Sequence, residues 1–175
     1  MDEIIAPWAE FASLPMYDDN EITWWSKGKS SFIEKKLEKL ENQINVVFTR
    51  LDKKRNAEII HKKVKSFDNP YQLGNAYWHP DDPVWKLETK RGKKYRSTQL
   101  HEFCHAFGLQ HPADHYANQD TIMSYQRDRS VINFFKRDKK AIKRIYTDPT
   151  LEFGDLKVSP IKIDELTGIV HIDYI

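Results

Sequence analysis

The sequence predicts an α+β domain, and three observations carry that expectation. Short β-type runs recur through the first half of the chain, one amphipathic repeat of helical period interrupts them, and a histidine-rich stretch reads as a helix ending at a glycine. Glu21-Ile22-Thr23-Trp24-Trp25 is the first strand run. Ser31 and Glu34 have the spacing of a capping box, and Ile33, Leu37, Leu40 and Ile44 then repeat at helical spacing, which predicts a helix laid on the sheet. Asn45-Val46-Val47-Phe48-Thr49 is the next strand run, and Val84-Trp85-Lys86-Leu87-Glu88-Thr89 is the last one before Ser97 or Thr98 caps the histidine-bearing helix. Towards the end, Asp138 is placed to cap a helix carrying Ala141, Ile142, Ile145 and Tyr146.

The histidine-rich stretch is His101-Glu102-Phe103-Cys104-His105-Ala106-Phe107-Gly108-Leu109-Gln110-His111. On a helix, His101 and His105 share one face, so both imidazoles can grip one metal ion from the same side. Glu102 stands beside them, in reach of a metal-bound water but poorly placed as a ligand. Gly108 allows a backbone conformation that a residue with a Cβ resists, so the chain can leave the helix and deliver His111 as the third nitrogen. Three protein ligands leave the fourth position open for water, which is the arrangement of a catalytic zinc. Cys104 projects away from the face of the two histidines and reads as a packing residue.

A second element follows: in Thr121-Ile122-Met123-Ser124-Tyr125, Met123 lies twelve residues past His111. With it the chain resembles the metzincin zinc endopeptidases, whose signature is HExxHxxGxxH followed by a methionine-containing turn. His111-Pro112 and the Ile-Met-Ser-Tyr run look most like serralysins, and the short interval from histidine to methionine looks like matrixins. The resemblance implies that Met123 forms an apolar floor beneath the three histidines. It also implies that Tyr125 offers its hydroxyl to the metal or to the oxyanion. Ala57-Glu58-Ile59-Ile60-His61 resembles the Ala-Asp-Ile strand of matrixins, and Leu73-Gly74-Asn75-Ala76-Tyr77-Trp78 resembles the edge strand that pairs with extended substrate. The implied fold is therefore a zincin-like domain over residues 21–148: a mixed twisted sheet with an antiparallel edge strand, an active-site helix, a Met turn and a closing helix.

Composition agrees with one compact soluble domain. In 175 residues, 39% are hydrophobic and 13% aromatic, enough for a sizeable core. Lys and Arg total 28 against 26 Asp and Glu, so the net charge of +2 provides no field for polyanions. The basic runs at 90–94 and 136–140 read as solvated faces rather than a nucleic-acid surface. No apolar run has the length of a membrane span. Met1-Asp2-Glu3 is acidic where a signal peptide is basic, so cytoplasmic or assembly-associated residence is expected over classical secretion. The single cysteine excludes a disulfide within the chain, and with none upstream the cysteine latch of matrixins is not expected. No calcium-loop pattern is present, and His115 keeps the wrong spacing to replace His111. Asp114 and Asp120 flank the Met turn and read as loop residues.

Residues 1–20 read as an N-terminal arm, with an inhibitory role for Asp18 or Asp19, like that of the aspartate in astacin propeptides, as the sharper alternative. Residues 149–175 alternate as a β-hairpin would and form a candidate docking element for an assembly partner. The expected function is zinc-dependent endopeptidase action on protein or peptide substrates. Zn2+ would be held by His101, His105 and His111, Glu102 would serve as general base, and Tyr125 would assist at the oxyanion. By the same resemblance, the pocket for the residue after the scissile bond is built from the loop between Pro112 and Thr121 and from residues following the Met turn. The alternative is a structural component of a larger assembly, such as a phage particle, that retains the zinc site.

Overall fold

A computed structural model describes residues 21–44, 46–79, 82–112, 119–147, 162–163 and 170–171. The arm 1–20, with Asp18 and Asp19, lies outside the described residues, as do Asp114 and His115. Five strands form one sheet: β1 (Glu21–Ser26), β2 (Val47–Arg50), β3 (Ile59–Val64), β4 (Gly74–His79) and β5 (Asp82–Lys90). Their spatial order is β2-β1-β3-β5-β4. β1 pairs in parallel with β2 and β3, and β3 with β5, while β4 closes the edge antiparallel to β5. The mixed sheet with an antiparallel edge strand is thus the expected one. Among the described residues three α-helices accompany the sheet: α1 (Ser31–Ile44), α2 (Arg96–Ala106) and α3 (Lys136–Thr147). A two-stranded antiparallel ladder, β6 (Lys162–Ile163) with β7 (Val170–His171), lies in the C-terminal tail.

Period governs what each element buries. β1 alternates strictly, sending Ile22, Trp24 and Ser26 inward. α1 buries Ile33, Leu37, Leu40 and Ile44, a single stripe at spacings of four, three and four residues. α2 is different, because every residue from Ser97 to Ala106 is buried. A helix enclosed on all sides must divide its faces between core and site. Phe103 meets Trp24 edge-on with centroids 5.8 Å apart, and Phe107 lies 5.1 Å from Phe48. These aromatic contacts fasten α2 to the sheet.

The helix starts differ from the sequence reading. α2 has Tyr95 at its N-cap with no side-chain cap, so neither Ser97 nor Thr98 caps it. A 3₁₀ turn, Lys93–Tyr95, runs straight into α2 and takes the Arg96 N–H on the Lys93 carbonyl, so Ser97 and Thr98 fall inside the helix rather than at its start. Ser31 and Glu34 do not form the capping box either. The Glu34 N–H already bonds the Ser30 carbonyl at 3.1 Å, and the Glu34 carboxylate pairs with Arg50 instead. α3 begins two residues before Asp138, which therefore caps from inside the first turn by accepting the Phe135 N–H at 2.7 Å.

His61 ties three strands together. Its Nδ1 lies 3.0 Å from Ser26 Oγ on β1, and its Nε2 lies 2.9 Å from Thr89 Oγ1 on β5. Burial, with Lys63 adding to it, lowers its pKa to about 3. Between pH 3 and 6.5 the unfolded chain therefore binds the proton that the folded chain refuses, so stability falls as pH drops through that window. Urea denaturation of the metal-free chain should show roughly 2 kcal/mol lost through this group between pH 7 and pH 5. His61→Gln should flatten that slope by the same amount, and an unchanged slope would contradict the assignment.

Candidate metal centre and active site

His101 and His105 project from one face of α2 with ring centroids 4.8 Å apart. α2 then ends in a Schellman turn: the Gly108 N–H bonds the His105 carbonyl at 3.0 Å, and the Leu109 N–H reaches the Cys104 carbonyl at 2.9 Å. Gly108 holds φ 92°, a left-handed conformation in which a Cβ would be strained. The turn sends the chain back along the helix and brings His111 up to the pair. His111 Nε2 lies 3.0 Å from His101 Nε2, and the nearest ligand atoms of the three histidines all lie within 4.8 Å of one another.

Backbone carbonyls decide which nitrogens face the centre. His101 Nδ1 lies 2.8 Å from the Ile122 carbonyl, in the Met turn, and His105 Nδ1 lies 2.9 Å from the Leu109 carbonyl, in the Schellman turn. A carbonyl only accepts, so each Nδ1 carries the proton and each Nε2 keeps its lone pair. Burial lowers the pKa of His101 well below the usual value, helped by Arg127 and the neighbouring imidazoles, and that of His105 to about 4. Both rings are therefore neutral near pH 7, as metal ligation requires. Three imidazoles, two of them neutral with fixed tautomers, and no thiolate or carboxylate among them form a donor set that suits zinc with one open position. Cys104 is buried in the core, and burial pushes its thiol up, which fits a packing residue.

Glu102 is buried beside the histidines, and burial raises its pKa to about 8 against the opposing charge of Arg127. A cation bound next to it would favour the carboxylate. Its carboxylate lies flush against the edge strand: a Cβ added at Gly74 would stand 2.2 Å from Glu102 Oε1 and 2.8 Å from Thr98 Cγ2. Gly74 is thus required by close approach. Tyr125 brings its hydroxyl to 3.3 Å from His111 Nδ1, and Met123 is wholly buried in the core. Gly74, Thr98, Glu102, the three histidines, Tyr125 and Arg127 line one cavity beside β4.

Two residues whose part in the site the sequence did not disclose organise it: Asp138, expected only as a helix cap, and Arg127. Asp138 receives the Ile122 N–H at 3.1 Å and the Thr121 hydroxyl, so α3 holds the turn whose carbonyl orients His101. Asp120 instead faces solvent and accepts from Arg137 at 3.1 Å. Arg127 is buried and gives Nε to Ser97 Oγ at 3.1 Å and Nη1 to the Ser124 carbonyl at 2.6 Å. Only an acid three residues before Ala141, and a cation four after a Met-turn methionine, hinted at these roles. Asp138→Ala would leave the buried Ile122 N–H and the half-buried Phe135 N–H without an acceptor. It should lower stability by about 2 kcal/mol or more in urea denaturation, and should weaken zinc binding in titration.

The comparisons with known proteins accord with this geometry. No curated protein matches the chain. The family model described as matrixin matches residues 18–147, which spans the sheet, the three helices and every histidine of the centre. The chain therefore belongs to the matrixin family of zinc metallopeptidases.

Proposed function

We propose that the chain is a zinc-dependent endopeptidase in which His101, His105 and His111 hold the metal and Glu102 is the general base. The observation that carries this reading is the convergence of three imidazoles with ligand atoms within 4.8 Å, two of them fixed by backbone carbonyls. Family membership supports it. When bound, zinc supplies the Lewis acid that activates water and polarises the scissile carbonyl.

This chain's own residues do the rest. Glu102 takes the proton from the attacking water and returns it to the leaving amine. The Tyr125 hydroxyl donates toward the oxygen that gains negative charge. β4 is the edge of the sheet, so its outer side can pair with an extended peptide and align the bond to be cut with Glu102. Gly74 keeps that strand close enough to define where the carboxylate rests. Residues 149–175, which hold the β6–β7 ladder, fall beyond the family match, and an assembly partner would dock there.

Metal analysis should find one zinc per chain, lost to a chelator. Peptide cleavage read by mass spectrometry should disappear in Glu102→Ala while the zinc content stays. Persistent cleavage by Glu102→Ala would exclude it as the base. Gly74→Ala should lower kcat about 100-fold with zinc content retained, because the added methyl displaces the Glu102 carboxylate and presses on Thr98 of α2. Unchanged kcat would show that the close approach has no part in the chemistry.

A further inference from the structure

Arg127 lines the same cavity as Glu102 and the three histidines, yet it is only 6% exposed. Its Nε and Nη1 are committed to the Ser97 hydroxyl and the Ser124 carbonyl, both neutral. Nη2 has no partner, and the guanidinium no ion pair, among the described residues. The Glu102 and Asp138 carboxylates act on this cation without an ion pair to it, so a largely buried guanidinium keeps one nitrogen open to a closer counter-ion. Burial, with Arg129 adding to it, lowers its pKa to about 10. Exposed Arg129 lines this cavity too, and among the described lining residues the only carboxylate is that of Glu102. Two guanidiniums and a divalent metal against one carboxylate give the described lining a positive balance.

We propose that Arg127, assisted by Arg129, selects substrates with an acidic side chain beside the scissile bond, whose carboxylate supplies the missing counter-ion. The inference rests on the peptidase reading and narrows it to a substrate class. Arg127 is held at two nitrogens, so little side-chain freedom is lost when the third meets a carboxylate. A substrate amide in the same place would leave the buried guanidinium without its charged partner, so glutamine should not substitute for glutamate.

The test uses the zinc-loaded full chain and peptides that differ only by Glu against Gln, or Asp against Asn, on either side of the cleaved bond. kcat/KM for cleavage is measured beside the affinity of zinc-loaded Glu102→Gln for the same peptides. The acidic peptides should be preferred about tenfold or more, chiefly through KM, and Arg127→Met should bring the ratio close to one. Equal handling of Glu and Gln peptides by the wild type would overturn the proposal. So would an Arg127→Met variant that slows both alike and shifts the pH profile, since Arg127 would then serve Glu102. If Arg127→Met does not fold, the wild-type comparison decides alone. Absence of cleavage with retained acidic preference in binding would remove the peptidase reading but keep the selectivity, and absence of both would remove both.

Discussion

An imidazole offers a metal one lone pair only if its other nitrogen is held, and the site is built around that requirement. His101 is held by the Ile122 carbonyl and His105 by the Leu109 carbonyl. Each carbonyl belongs to a turn that is itself bonded elsewhere. The Leu109 carbonyl is placed by the Schellman turn, which depends on Gly108 at φ 92°. The Ile122 carbonyl is placed by Asp138, which grips the Ile122 N–H from α3. Ligand geometry is thus transmitted from a helix end on one side and a packed helix on the other.

The same economy governs the general base. Burial that keeps the histidines neutral also favours the protonated form of Glu102, raising its pKa to about 8. Cationic neighbours oppose that shift, and Arg127 is the one that the chain itself supplies. Arg127 also joins Ser97 of α2 to the Ser124 carbonyl just after the Met turn, so one side chain spans both walls of the cavity. The edge strand completes the enclosure, with Gly74 pressed against the Glu102 carboxylate.

The parts of this arrangement that the sequence discloses are those encoded within a single turn of chain. His101, His105, Gly108 and His111 lie within eleven residues, so helical geometry and one left-handed glycine bring them together. β1 and α1 follow from period, because each buries one face. What was not legible depends on distant pairings: Gly74 acts on Glu102, Arg127 on Ser97 and Asp138 on Ile122, across 16 to 30 residues for the two hydrogen-bonded pairs. His61 ties β1 and β5 only because Ser26 stands opposite it in the register, which no local pattern reveals. The helix caps misled for a related reason. A preceding 3₁₀ turn starts α2 before Ser97 and Thr98, and at α1 the Ser30 carbonyl has taken the Glu34 N–H that Ser31 was expected to serve.

Zinc-edge X-ray absorption on the metal-loaded chain tests the central claim most directly, because it counts the atoms bound to the metal and identifies them. Three imidazole nitrogens and one further oxygen, at about 2.0–2.1 Å, are the predicted shell, with one histidine lost from it in each of His101→Ala, His105→Ala and His111→Ala. A sulfur neighbour near 2.3 Å, roughly the zinc–thiolate distance, or a shell unchanged by those substitutions, would contradict a three-histidine centre with an open position.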